Sequence, residues 1–249
     1  MDEKARDLKA AAIAGLAVII GLVLASWLIA RGMSEFRMAD RYVSVKGLAE
    51  QYVKADLALW NIRFVATSDL LEEAQGKIDS DQASVISYLK DKGFSPEEVS
   101  PGTIEVVDLL AQQYRSDGAS RSRYIVKASV GVRTNKVALV DEVSRKTGDL
   151  VRKGVVLEET YVDGGSGPRY IFTKLNDIKP AMIAEATANA RKAAEQFAKD
   201  SRSRLGKIRR ANQGVFMILG RDADERTNES RQIDKKVRVV STVDYGLVN

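Results

Sequence analysis

The chain has no cysteine and no histidine among its 249 residues, and only four prolines. The first two absences exclude disulfides, zinc sites built from cysteine and histidine, haem ligation by histidine, cysteine nucleophiles and Ser-His-Asp triads. A folded domain of about 200 residues is stable without disulfides, so the lack of cysteine is compatible with an oxidising compartment. A hydrolase built from this sequence would have to use carboxylates or serine.

Charged residues are also missing from one long stretch, Ala10 to Ala30. As a helix, this run of about 21 residues spans about 31 Å at ~1.5 Å per residue, the thickness of the hydrocarbon core of a bilayer. The pattern predicts a single-pass transmembrane anchor at 10–30, with a tail at 1–9, a linker at 31–40 and one folded domain at 41–249. A cleaved signal peptide is the alternative, although its apolar region is usually shorter, about 7–15 residues.

Basic residues flank both ends of the apolar run, so the positive-inside rule does not fix its orientation. A short tail inside and the bulk of the chain outside is the simplest single-pass arrangement. The net charge of the chain is only +5, which is too small to predict general nucleic-acid binding. We therefore expect a membrane as a partner and no nucleic acid.

The periodicity of apolar residues after position 40 alternates between strand and helix. The order of elements predicts one α+β domain, a largely antiparallel sheet with long helices on one face. The predicted elements are two strands within 41–67 around a turn or bulge near Gly47–Gln51, a helix from Ser68-Asp69 to Lys92-Gly93, a hairpin of Thr103–Tyr114 with Arg123–Arg133, a helix from Asn135 to about Arg152, a strand at Val155–Val162, an extended segment at Tyr170–Phe172, a helix from about Asp177 to Leu205, and strands at Val215–Leu219 and Val237–Val243.

The last of these helices carries a seam of mostly small side chains. Small residues allow a helix to lie close to a sheet or to another helix, so the seam predicts either packing on the chain's own sheet or a contact between subunits. The candidate subunit-contact residues are Ile183, Ala186, Ala190, Ala193 and Phe197.

A cluster of cations follows the same helix. Cations near a helix C-terminus are expected from the helix dipole alone, and the alternative is an anionic partner such as lipid headgroups. The candidate anionic-surface contact consists of Arg202, Arg204, Lys207, Arg209 and Arg210. The polar stretch Arg221–Lys236 is predicted to be a mobile surface loop, or alternatively a site of charge pairing between subunits.

Carboxylates are plentiful, and Asp56 with Glu105 or Asp108 is one candidate pair for acid–base or Ca²⁺ chemistry. No D-x-D-x-D-G spacing accompanies it, and nothing in the sequence shows that two carboxylates converge. We therefore predict no catalytic residue, no cofactor and no metal site, and a protein that is not an enzyme.

The order of motifs after residue 40 resembles the SIMPL-domain family. In that family a V-x-G-x-G/A-E strand leads into V-x-P-D-x-A; this chain lacks the second glycine and has Ala55 in place of the proline. The resemblance covers about residues 40–245. It is carried by Arg41-Tyr42-Val43-Ser44-Val45-Lys46-Gly47-Leu48-Ala49-Glu50, Val53-Lys54-Ala55-Asp56-Leu57-Ala58, Lys92-Gly93-Phe94, Tyr124–Val132, Asn135-Lys136-Val137 and Leu205–Ile208.

The resemblance implies a periplasmic or envelope-facing protein of Gram-negative bacteria, linked to stress tolerance, with a tendency to self-assemble and no established catalytic activity. It transfers no active-site residue. The first hypothesis is therefore a single-pass inner-membrane protein with its domain in the periplasm, acting as a homo-oligomer by assembly and binding. A monomeric tethered ligand-binding or sensor module is the second hypothesis, and a carboxylate- or serine-based envelope hydrolase is the third.

Overall fold

The computed structural model of the chain describes residue 15 and residues 19–29, 41–111, 122–158, 167–222 and 229–248. Residues 19–29 belong to helix α1. The rest of the predicted anchor, apart from residue 15, lies outside the described residues, as do the tail at 1–9 and the linker at 31–40. Among the described residues, no helix is both long enough and apolar enough to cross a membrane.

The fold class is α+β, as the sequence predicts, but the strands form two sheets instead of one. The pairings of β2 with β5 and β6, of β5 with β3 and β4, and of β9 with β7 and β8 are antiparallel. The elements are β1 (Tyr42–Lys54), β2 (Leu57–Ser68), α2 (Leu71–Asp91), β3 (Val99–Pro101), β4 (Glu105–Asp108), β5 (Tyr124–Thr134), α3 (Val137–Ser144), α4 (Gly148–Arg152), β6 (Arg169–Ile171), α5 (Leu175–Asp200), β7 (Arg204–Gln213), β8 (Met217–Gly220) and β9 (Asp234–Val248), with 3-10 helices at Pro96–Glu98 and Glu229–Arg231.

The chain divides into two compact units. The first unit comprises the described residues within Met1–Ala49, Ala181–Val215 and Val239–Asn249, and the second comprises those within Glu50–Pro180 and Phe216–Arg238.

The second unit is built on a five-stranded sheet of order β3-β5-β2-β6, with β4 also paired to β5. Every second residue of β2 from Ala58 to Ala66 is buried, so one face of the strand forms the core. Helices α2 and α3 pack on this sheet. The core includes Trp60, Ile62, Phe64, Ile78, Leu89, Val126, Val130 and Val140.

The ends of α2 lie close to where the sequence places them. The Ser68 hydroxyl accepts a hydrogen bond from the Leu70 backbone at 3.2 Å, Glu72 and Glu73 lie in the first turn, and Gly93 follows the helix with φ +97°. The predicted hairpin is also confirmed, as β4 paired with β5. The predicted helix from Asn135 to Arg152 is instead two helices, α3 and α4.

Several other predicted segments differ from the structure. Of the strand predicted at Val155–Val162, residues 155–158 are described, and they contribute one isolated bridge, between Leu157 and Phe64. Part of the predicted loop at Arg221–Lys236 has regular structure, because Glu229–Arg231 is a 3-10 helix and β9 begins at Asp234. Residues 223–228 of that loop lie outside the described residues.

Of the two alternatives near Gly47–Gln51, the turn is wrong, because β1 passes through it without interruption, and the bulge stays a prediction. Gly47 serves a different purpose. A Cβ on this residue would lie 1.8 Å from the backbone oxygen of Ala186 and 2.8 Å from the Cβ of Ala190, both on α5. Glycine within a strand therefore permits close approach of the helix backbone here, and does not form a turn.

Helix α5 ends at Asp200, five residues before the predicted end. The Ser203 backbone donates to the carbonyl of Ala198 at 2.8 Å, and the Arg202 backbone donates to that of Lys199 at 3.1 Å. This is the Schellman arrangement, and Arg202 occupies its left-handed position with φ 53°. The chain then forms β7, a strand that the sequence analysis did not predict.

Candidate functional site

The second unit contains a cleft of about 410 Å³, within the size range of small-molecule sites. Four residues of β2, two of α3, and residues before and within β6 form its wall. The lining residues are Trp60, Asn61, Ile62, Arg63, Asp141, Ser144, Thr147, Leu157, Glu158, Gly167, Pro168, Tyr170 and Arg231.

The periodicity of α3 explains how its polar residues reach the cleft. Val137, Val140 and Val143 recur at helical spacing and are buried in the core. Asp141 and Ser144 follow these positions by one residue, so they lie at the edge of the buried face and line the cleft. The core contacts of α3 therefore fix where its cleft-lining side chains stand.

Tyr170 is the most deeply buried polar group at the cleft, with 3% of the residue exposed. Burial raises the pKa of Tyr170 to about 12, and the charge of Asp141 and its hydrogen bond from the Tyr170 hydroxyl, at 3.4 Å, contribute to the shift. Arg145 holds the same carboxylate with Nη2 at 2.9 and 3.0 Å from its two oxygens. At neutral pH, Tyr170 is thus a fixed hydrogen-bond donor and not a base.

The charged residues that line the cleft, as far as the structure describes them, are two cations and two carboxylates. Of the charged lining residues, Arg63 and Arg231 are basic, whereas Asp141 and Glu158 are acidic. Glu158 is paired with Lys127, and Asp141 is paired with Arg145. Both carboxylates are therefore engaged in ion pairs, and Arg63 and Arg231 are the lining groups suited to contact an anionic ligand.

The candidate acid–base carboxylates each bind a partner of their own. Desolvation raises the pKa of Asp56, but hydrogen bonds from the Thr173 hydroxyl and backbone, each 2.6 Å, outweigh it and leave the pKa lowered. A hydrogen bond from Arg123 at 2.9 Å lowers the pKa of Asp108. A general acid at neutral pH requires a raised pKa, so neither group is suited to that role.

The structure shows no group of three or more acidic side chains placed to hold a metal ion within its described residues. Glu105, the third carboxylate of the candidate pairings, lies exposed on β4. The prediction that the chain is not an enzyme stays a prediction.

The predicted seam on α5 packs in part against its own unit. Ala186 and Ala190 are fully buried beside Gly47, while Ile183 and Ala193 are half-buried. Phe197 is 57% exposed. The buried stripe therefore runs through every fourth residue, Met182, Ala186, Ala190, Ala194 and Ala198. The contact between subunits stays a prediction, and among the five residues Phe197 is the one open to it.

Four of the five predicted anionic-surface residues lie on a strand and not at a helix end. All five are exposed; Arg202 follows α5, and the other four lie on β7. In the sheet order β1-β9-β7, this strand is at an edge. The dipole of helix α5 therefore does not explain the four cations on β7.

Sequence reasoning did not single out Tyr170 or Asp141. The signal for Tyr170 was the alternation of exposed Arg169, buried Tyr170 and exposed Ile171 along β6. The signal for Asp141 was its place beside the apolar stripe of a helix. Neither signal reveals that the two side chains meet, because they are 29 residues apart in sequence.

A family model described as SIMPL, protein of unknown function (DUF541), matches residues 43–245. The match begins in β1 and ends in β9, so it includes strands and helices of both units. It confirms the resemblance drawn from the sequence over nearly the same range. No curated protein matches the chain.

Proposed function

We propose that this chain, which belongs to the SIMPL family over residues 43–245, is a membrane-anchored protein that acts by binding and self-assembly and not by turnover. The observation that carries the anchor is the surface of α1. Eight large apolar side chains within residues 19–29 are each between 51% and 64% exposed: Ile19, Ile20, Leu22, Val23, Leu24, Trp27, Leu28 and Ile29. Contiguous apolar surface of this kind is costly in water and favourable in a bilayer.

The proposed location is the inner membrane of a Gram-negative bacterium, with residues 10–30 as the anchor and the folded domain in the periplasm. The proposed physiological role is tolerance of envelope or oxidative stress. Both proposals draw on the family resemblance.

Self-assembly is supported by apolar side chains left on the surface of the first unit. Phe197 on α5, Ile208 on β7 and Val215 after β7 are 57%, 51% and 83% exposed. Exposed large apolar residues are frequent at protein–protein contacts. Among these three, Phe197 also belongs to the predicted seam.

Membrane extraction tests the anchor. In washed membranes from cells that make the full chain, alkaline carbonate leaves the wild-type protein in the pellet. The double variant Leu22→Arg/Leu24→Arg is released, since each arginine costs about 3 kcal/mol at the centre of a membrane helix. Leu70→Arg/Leu71→Arg is the matched control, because both leucines are exposed at the start of α2. Release of the wild-type protein, or retention of the anchor variant, contradicts the anchor.

Light scattering on the detergent-solubilised full chain tests assembly. The wild-type protein elutes with a mass that is a multiple of the subunit mass, and Phe197→Glu reduces that mass. Lys192→Glu, an exposed change on the same helix, leaves it unchanged. A monomeric wild-type protein contradicts the assembly proposal.

The cleft of about 410 Å³ favours a second candidate function, a tethered module that binds a small anionic ligand. Trp60 lines this cleft and is 5% exposed, so its fluorescence is a built-in reporter. Titration with small di- and tricarboxylates changes that fluorescence if the module binds them, and Arg231→Glu abolishes the change. A signal that persists in Arg231→Glu places the ligand elsewhere. The third candidate, a hydrolase, has no comparable support in the carboxylates described above.

A further inference from the structure

We propose that the edge strand β7 and the residue before it form a contact surface for anionic phospholipid headgroups. The surface, called the basic edge below, consists of Arg202, Arg204, Lys207, Arg209 and Arg210. The inference rests on the proposed anchor, because the anchor keeps this surface beside a bilayer. It goes further in stating which part of the first unit contacts the lipid and through which charges.

The basic edge accounts for the whole net charge of the chain. Residues 201–215 contain these five cations and no carboxylate. The full chain has 39 Lys and Arg and 34 Asp and Glu, so the 34 cations outside the basic edge balance the 34 carboxylates. The basic edge is therefore a local concentration of positive charge in a chain whose net charge is small.

The geometry of β7 exposes these charges. Its partner β9 lies on one side only, and register shifts occur between Leu205 and Ile208 and between Ile208 and Arg210. Bulges of this kind redirect the side chains of an edge strand. Among the residues of β9 in register with β7, Asp244, opposite Arg210, is the one carboxylate. The basic edge therefore combines five exposed cations with one carboxylate among its described cross-strand neighbours.

Apolar and aromatic side chains accompany the cations. The Arg209 guanidinium lies 5.4 Å from the centre of the Tyr42 ring, and Tyr42 is 57% exposed. Ile208, between the cations, is 51% exposed. A membrane interface suits tyrosine at the headgroup level together with cations that have apolar stems. A surface that contacts only water would need the cations but not the exposed apolar and aromatic side chains.

The end of the sheet at which β1 and β7 begin is connected to the predicted anchor and is therefore kept near the membrane. The Leu247 backbone donates to the Arg41 carbonyl at 3.0 Å, and Leu247 is also in register with Leu205. The start of β1 and the start of β7 therefore share one end of the sheet. Residues 31–40 separate that end from the predicted anchor, and a chain of this length reaches at most about 40 Å. The anchor thus holds the basic edge at high local concentration near the headgroups.

The experiment uses the full chain, reconstituted in vesicles of phosphatidylcholine or of equal parts phosphatidylcholine and phosphatidylglycerol. Because the chain has no cysteine, Asn212→Cys provides a single attachment point for a fluorophore. Asn212 is exposed and lies two residues from Arg210 on β7. A quencher on the lipid headgroups reports contact. The charge-reversal variant is Lys207→Glu/Arg210→Glu, and the matched control is Lys153→Glu/Arg169→Glu, two exposed cations of the second unit.

The expected result is strong quenching in phosphatidylglycerol vesicles near ~0.15 M salt and weak quenching in phosphatidylcholine. Charge reversal at the basic edge lowers the quenching at least about threefold, since each cation near an anionic surface contributes appreciably to binding. The control variant is quenched as strongly as the wild-type protein. High salt lowers the quenching of both proteins in phosphatidylglycerol vesicles. Equal quenching in both vesicle types, insensitivity to salt, or an unchanged signal in Lys207→Glu/Arg210→Glu overturns the proposal.

Flotation of the same samples separates this proposal from the anchor. If the chain does not float with phosphatidylcholine vesicles, the anchor is wrong, whatever the charges do. If it floats with both vesicle types but the label is not quenched in phosphatidylglycerol, the anchor stands and the basic edge is not a lipid contact. In that case an acidic protein surface becomes the alternative partner.

Discussion

The backbone oxygen of Ala186 lies 1.8 Å from the position that a Cβ at Gly47 would occupy. The atom that blocks the site is backbone, on a helix whose neighbouring residues Ala190 and Ala194 are fully buried. A flexible side chain could move aside, but this helix cannot move without opening the core of the first unit. The absence of a side chain at Gly47 is therefore what allows α5 to contact β1.

Gly47→Ala is expected to destabilise the protein by about 3 kcal/mol or more, because overpacking against backbone forces the helix and strand apart. Urea unfolding followed by circular dichroism measures the change. Gly76→Ala is the matched control, since Gly76 is in α2 with no atom within 4 Å of the added Cβ. That change raises the free energy of unfolding by up to about 1 kcal/mol. If the two substitutions have the same effect, the close contact is not as described.

Arg202→Gly is expected to stabilise the protein by about 1 kcal/mol. Arg202 has φ 53° in the Schellman arrangement that ends α5, and glycine adopts this conformation without a steric penalty. Arg202→Ala controls for the charge, because alanine removes the cation but keeps the strained backbone. Thermal unfolding of the three proteins should place the glycine variant above the other two. Equal melting temperatures for the glycine and alanine variants would contradict the assignment of strain.

Gly47 and Arg202 also show why parts of the fold were missed in the sequence. A glycine after a short strand predicts a turn, because sequence alone does not reveal a helix that packs on that strand from 139 residues away. A helix end is recognised by glycine or asparagine at its left-handed position, and arginine there gives no such signal. The same rules succeeded at α2, where Ser68 and Gly93 are local signals that the structure uses directly.

The cleft was beyond prediction for a related reason. Its residues come from β2, α3, β6 and the 3-10 helix at Glu229–Arg231, so only the tertiary fold brings them together. The basic edge is recognisable as a cluster from the sequence, because its five cations fall within nine residues, 202–210. The position of these cations on an edge strand is not recognisable from the sequence, because the pattern predicts a helix that continues to Leu205 and no strand after it.

Glu98 is expected to make stability fall at low pH. A hydrogen bond from the Thr134 hydroxyl at 2.5 Å is the main cause that lowers its pKa from 4.5 to about 2, aided by the Ser95 backbone and Lys136. The folded protein therefore binds the proton less tightly than the unfolded chain. The stabilisation is complete above about pH 4.5 and is lost as the pH falls towards about 2.

The free energy of unfolding of Glu98→Gln, measured across that pH range, checks this assignment. The variant is less stable than the wild-type protein at neutral pH by about 2 kcal/mol, because a charged hydrogen-bond acceptor is lost. The difference shrinks as the pH falls. Glu97→Gln, at the exposed neighbouring position, should follow the wild-type curve. A difference between Glu98→Gln and the wild-type protein that does not depend on pH contradicts the role of the ionised carboxylate.

The hydroxyl of Tyr170 is expected to make stability fall at high pH. Its pKa is raised from 10.0 to about 12 by burial and by Asp141, so the folded protein retains the phenolic proton that the unfolded chain releases. The contribution to stability is complete below about pH 10 and is lost as the pH rises towards about 12.

Tyr170→Phe removes this dependence and costs about 1 kcal/mol at neutral pH, through the hydrogen bond to Asp141. Unfolding in urea at neutral and alkaline pH measures both effects, with Tyr52→Phe as the control because Tyr52 is 63% exposed. If Tyr170→Phe and the wild-type protein lose stability in parallel above pH 10, the hydroxyl is not held by the cleft as the structure shows.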